Sequence, residues 1–139
     1  MKKTLAGLAV VIALAMGMAV PALAQYSGRI NVSVPFSFTV ENQRLQSGDY
    51  IVEKTAGGRL HIYTKDGRVS TTVLAIAAEG TTAPEKAHFV FRRYGDQYFL
   101  AKIWTPGLNR GWELLQGKME VELAKRKTVP VETATLIGR

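Results

Sequence analysis

From Ile30 to Val40 every second residue is apolar: Ile30, Val32, Val34, Phe36, Phe38 and Val40 alternate with Asn31, Ser33, Pro35, Ser37 and Thr39. Successive side chains of a strand point to opposite faces. A helix would scatter these apolar residues around its circumference, so the run predicts a strand with one buried and one wet face. Pro35 cannot donate to a ladder and is expected at an edge or a bulge.

Similar signals follow along the chain. Glu41 to Asp49 is a polar connection ending in Ser47-Gly48-Asp49, and Tyr50 to Lys54 reads as a strand that Gly57-Gly58 closes. Arg59 to Thr64 and Val69 to Ala77 flank Asp66-Gly67, the dipeptide of a type I′ hairpin turn. After a polar stretch from Glu79 to Lys86, His88 to Tyr94 and Tyr98 to Trp104 flank Gly95-Asp96, and Thr105-Pro106-Gly107 ends the pair. A two-residue turn there would set Phe89 opposite Lys102. A three-residue loop would align Phe89 and Phe91 with Phe99, Ala101 and Ile103, and it is the expected register because burying a lysine costs more than an imperfect turn.

Trp112 to Leu115 reads as a short strand. In Lys118 to Lys127, Met119, Val121 and Leu123 alternate, yet Leu115, Met119 and Leu123 are spaced by four, with Glu120 and Glu122 early and Lys125, Arg126 and Lys127 late. That polarity complements a helix dipole and predicts a short helix. Pro130 ends it, and Val131 to Ile137 is expected as a last strand pairing with the first. The sum is an all-β, mainly antiparallel domain: a small sandwich or partly closed barrel of seven or eight strands with one short C-terminal helix.

Ahead of this domain, Lys2 and Lys3 precede an uncharged run from Leu5 to Val20, and Ala22 and Ala24 complete an A-x-A site. This is the order of a secretory signal peptide over residues 1–24, with cleavage predicted between Ala24 and Gln25. The expected mature domain, 25–139, has no other segment able to cross a bilayer as a helix. An exported location follows, periplasmic or extracellular. Of the 18 Lys and Arg, 16 remain once Lys2 and Lys3 are removed, against 11 acids, leaving the domain near +5. Anionic envelope components or another envelope protein are therefore the expected partners. The chain has no cysteine, so disulfides, thiolate metal sites, a thiol nucleophile and a lipidated cysteine are excluded.

Catalytic constellations are missing from the sequence. His61 and His88 lack ligand spacing, no G-x-S-x-G elbow or phosphate loop occurs, and Glu120 and Glu122 would share a strand face or diverge on a helix. No enzyme, metal, cofactor or nucleic-acid motif is predicted. The expected register instead gathers His88, Arg92, Tyr94, Tyr98, Lys102 and Trp104 on the face opposite the core, where they could stack sugar rings or grip an anionic polymer. The competing structural reading makes that face a second core layer beneath the helix. The leading functional expectation is a non-enzymatic envelope domain with a binding or structural role. A small barrel holding an apolar ligand and a small outer-membrane barrel are the alternatives.

Val34-Pro35-Phe36-Ser37-Phe38-Thr39-Val40, Leu45 with Gly48-Asp49-Tyr50, and Arg93-Tyr94-Gly95-Asp96-Gln97-Tyr98-Phe99-Leu100 with Ile103-Trp104-Thr105-Pro106-Gly107 resemble a group of small exported bacterial β-domain proteins. That group usually reads leucine, proline, alanine, glycine before the tyrosine, where this chain has Leu45-Gln46-Ser47-Gly48. The resemblance implies export and a β domain, and brings no activity, cofactor or catalytic residue with it.

Overall fold

The computed structural model describes residues 28–126 and 131–138, the last strand by its backbone alone. The expected signal peptide and its cleavage site at Ala24 and Gln25 lie outside the described residues. The described elements run β1 (Arg29–Val34), β2 (Phe38–Val40), β3 (Gln43–Leu45), β4 (Gly48–Thr55), β5 (Arg59–Thr64), β6 (Ser70–Glu79), β7 (His88–Tyr94), β8 (Gln97–Trp104), β9 (Arg110–Leu114), α1 (Lys118–Arg126) and β10 (Val131–Ile137). The fold is all-β and mainly antiparallel, with one short C-terminal helix, and its curled sheet is not closed.

The hydrogen-bonded path passes from β1 through β4, β5, β6 and β9 to β8, which then pairs with β7, and β7 with β10. At the middle of this path β6 changes partners: Ser70 to Leu74 pair with β5, and Ala75 to Glu79 with β9. One ten-residue strand thus bends the sheet over on itself. The inward positions of facing strands then meet as a core that includes Ile30, Val32, Val52, Leu60, Ile62, Phe89, Ile103 and Leu114.

The alternation from Ile30 to Val40 survives, but as two strands. Ile30, Val32, Val34, Phe38 and Val40 are all buried. Pro35 supplies no donor, and the chain leaves the ladder between Val34 and Phe38. Before the break the chain pairs with β4. After it β2 pairs antiparallel with β3 and parallel with β8. The proline therefore turns the chain from one wall of the domain to the other, and β2 and β3 raise the strand number above that expected.

Three further expectations are corrected. Asp66-Gly67 is not a type I′ turn, because only Gly67 has positive φ, 70°. The Gly67 amide donates to the Thr64 carbonyl and Thr64 N to Val69 O, closing a longer loop around an ordinary turn. The Asp66 carboxylate accepts from the Thr64 hydroxyl and the Arg68 amide, which together hold its pKa below the usual carboxylate range. Secondly, β10 pairs with β7, from Val131 opposite Arg93 to Ile137 opposite His88, rather than with β1. β8 already has β9 and β2 along its other side, so the free edge of β7 accepts the last strand.

The third correction concerns the β7–β8 hairpin. Its tip is the tight two-residue turn, with Tyr94 opposite Gln97 and Gly95 at φ 61°, so the three-residue loop does not form. A bulge between Val90 and Phe91 then shifts the register by one, which sets Phe89 opposite Ile103 and Val90 opposite Lys102. Good turn chemistry and a dry core are thereby both satisfied. Phe91 pairs with Leu100 on the core side, while Phe99 pairs with Arg92 and faces the other way.

Candidate functional site

The six residues expected to share one face are distributed among four places. Arg92 and Tyr94 lie beneath α1 and are buried. The Arg92 guanidinium donates from Nε to Glu120 Oε1 and from Nη2 to Oε2 at 3.1 Å, and the Tyr94 hydroxyl donates to Oε1 at 3.1 Å. Phe99 meets Tyr94 edge-on at 5.6 Å beside them. This part of the face is a second core layer under the helix. Glu120 and Glu122 diverge: the first is buried, the second exposed and paired with Lys125. At the helix start, Asn42 Oδ1 accepts from the Met119 amide, so the β2–β3 turn holds that end.

Burial acts against the charge of Arg92, but the hydrogen bond and charge of Glu120 outweigh it and raise the guanidinium pKa. Burial, then the charge and hydrogen bond of Glu120, raise the Tyr94 phenol above its ordinary 10. A group with a raised folded pKa contributes its stability in full below the unfolded value and loses it as pH climbs through the folded one. The unfolding free energy should thus decline above about pH 10, and Tyr94→Phe should remove part of that slope. Urea titrations of both proteins across the alkaline range check this, and superimposable profiles would refute it.

The other four residues do not join this cluster. The bulge sends Tyr98 to the core side, stacked on Phe36 with ring centroids 3.9 Å apart and Arg93 above it. Lys102 stands opposite Glu113 in the β8–β9 ladder. His88 and Trp104 face each other in register and, with Gly80, Thr81, Thr82 and Pro84, border an outer hollow of about 300 Å³. Trp104 lies flat on the backbone of its neighbours: a Cβ at Gly111 would stand 2.8 Å from its ring, and one at Gly80 3.2 Å. His61, on β5, stacks against Tyr63. Among the described residues, no group of three or more His, Asp or Glu is placed to hold a metal ion.

A cavity among the described residues lies on the inner side of the sheet, and the sequence pattern did not locate it. It measures about 530 Å³. Ile30 of β1, Val52 of β4, Leu60 of β5, Ala77 of β6, Ile103 of β8 and Trp112 of β9 line it with Gly28 and the buried Thr105, and the exposed Lys54, Glu79, Leu108 and Arg110 complete the lining. Its origin is the size of the inward side chains. At the other end of the interior Phe36, Phe38, Tyr50 and Phe91 pack ring against ring. Here β6 contributes Ala77, Ala78 and Glu79, with Ala77 opposite Trp112. The small residues leave space that Ile or Leu would fill. Lys54 follows Tyr50 and Val52 on the same face of β4, and its Nζ sits 4.7 Å above the Trp112 ring. The legible signal was the small-residue run Ala77-Ala78 in a strand, together with a lysine continuing an apolar alternation.

Compared with known proteins, the chain matches no family model, and no curated protein and no solved structure matches it. The fold and its cavity therefore define the class: an all-β domain with an open, curled sheet and an apolar internal pocket.

Proposed function

We propose that this chain is an exported, non-enzymatic domain that takes up a small apolar molecule inside its curled sheet. The observation that carries this reading is the cavity of about 530 Å³ walled by Ile30, Val52, Leu60, Ile103 and Trp112. Protein interiors are packed like organic crystals, with few voids larger than a water molecule. Ligand pockets typically span ~300–1,000 Å³ and are mostly apolar with a few placed polar groups. The lining matches that description, and among the described residues its only carboxylate is Glu79, with no histidine. Such walls exclude water and grip hydrocarbon, and they offer no paired acid and base. The segment Lys2 to Ala24 supports export.

An outer-membrane barrel is the weaker reading, because a membrane barrel carries its apolar band outside. Here the outward positions of β1 are Arg29, Asn31 and Ser33, and the apolar Ile30, Val32 and Val34 point inward. The outer aromatic face also loses ground, since Arg92 and Tyr94 are covered.

A neutral environment-sensitive dye, phenylnaphthylamine, tests the proposal. Its fluorescence should rise saturably with the purified protein. Ala77→Trp, which adds a ring to the cavity wall, should weaken binding by about tenfold or more, equivalent to about 1.4 kcal/mol, with the melting temperature unchanged. Intact mass should correspond to a chain beginning at Gln25. Absence of saturable binding, or equal affinity of the variant, would reject the pocket.

A further inference from the structure

We propose that the bound molecule is a single-chain amphiphile with an anionic head, its alkyl chain in the cavity and its head at the outer rim between Lys54 and Arg110. The inference rests on the apolar-ligand reading and adds the head-group class. The walls and the rim differ in chemistry. The deeper lining is hydrocarbon and indole, from Ile30, Val52, Leu60, Ile103 and Trp112. Among the described residues the charged members of the lining are two cations and one anion, Lys54, Arg110 and Glu79, and all three are exposed, whereas Ile30, Val52, Leu60 and Ile103 are buried.

Both cations belong to the inward register. Arg110 precedes Trp112 by two on β9, and Lys54 follows Val52 by two on β4, so each side chain starts from the face that lines the pocket. Both are exposed, and among the described residues neither forms an ion pair with a carboxylate. Arg29 by contrast pairs with Glu53, Arg68 with Asp66 and Lys125 with Glu122, so the distinction of Lys54 and Arg110 is their place on the pocket lining rather than the lack of an ion pair. Trp112 carries Lys54 above the opening through its ring face. Glu79 stands opposite Arg110 in the β6–β9 ladder and reduces the positive field on that side. Lys54 is thus the principal anchor and Arg110 the second.

A carboxylate, sulfate or phosphate head satisfies these donors, whereas an ammonium head would meet two like charges. Hydrogen bonds to charged groups contribute about 1.5–3 kcal/mol, which corresponds to roughly tenfold or more in affinity.

The test displaces phenylnaphthylamine with four ligands of equal chain length: laurate, dodecyl phosphate, dodecanol and dodecylammonium. Laurate or dodecyl phosphate should bind about tenfold tighter than dodecanol, with dodecylammonium weakest, and the ratio of the two anions identifies whether a carboxylate or a phosphate ester is preferred. Lys54→Met, which keeps an apolar stem over Trp112, should bring the anions down to the affinity of dodecanol while leaving dodecanol itself unchanged. Glu79→Gln should tighten the anions. Equal binding of anion and alcohol, or a Lys54→Met protein that retains the preference, overturns the head-group assignment and leaves the apolar pocket standing. Failure of all four ligands to displace the dye overturns the pocket as well.

Discussion

Glu120→Ala should lower the unfolding free energy by about 3–5 kcal/mol, the range for removing one partner of a buried ion pair. Glu120 is 2% exposed and Arg92 8%. Once the carboxylate is gone, the guanidinium remains under α1 without its hydrogen-bonded counter-ion, and the Tyr94 hydroxyl loses its acceptor. A domain with total stability of about 5–15 kcal/mol would be left marginal. The neighbouring pair Lys125–Glu122 provides the control: its side chains are 67% and 61% exposed, and Glu122→Ala should change stability by no more than about 0.5 kcal/mol. Replacing the whole buried pair, Arg92→Met with Glu120→Leu, should recover most of the loss, because no charge is then stranded. Urea unfolding of the four proteins measures these differences. An effect below 1 kcal/mol for Glu120→Ala would mean that the helix is not docked as described.

Phe91→Ala should cost about 3–5 kcal/mol as well, by a different route. Phe91 is fully buried, and its ring meets Phe36 edge-on at 5.1 Å and Phe38 at 5.6 Å. Such pairs add about 0.5–1.5 kcal/mol beyond burial, and truncation leaves a void that β-sheet backbone cannot collapse to fill. Ile76→Ala, by contrast, removes a side chain that is 55% exposed on β6 and should shift stability by about 0.5 kcal/mol or less. Phe91 belongs to the packed end of the interior and the cavity to the other. The folded fraction of Phe91→Ala should therefore still bind phenylnaphthylamine with unchanged affinity. Thermal and urea unfolding decide the first statement, and dye titration well below the melting temperature the second.

The sequence by itself determined which residues of β1 and β2 turn inward and where most elements lie. Ile30, Val32, Val34, Phe38 and Val40 are buried as their spacing requires, because side-chain parity along a strand is a local property that a neighbouring strand cannot alter. The helix from Lys118 to Arg126 was legible for a similar reason, since its early acids and late bases act on a dipole generated within the same turns. Tertiary structure decided what depends on residues distant in the chain. A bulge opposite Val90 and Phe91 reconciled a tight turn with an apolar core and sent Phe99 and Tyr98 to faces that uniform alternation would not assign them. Arg92 found Glu120 across 28 residues, and that contact, rather than any pattern within β7, removed it from the surface. The cavity is of the same kind. It exists where Ala77 happens to face Trp112 across a ladder joining residues far apart in the chain, and empty space belongs to no single segment.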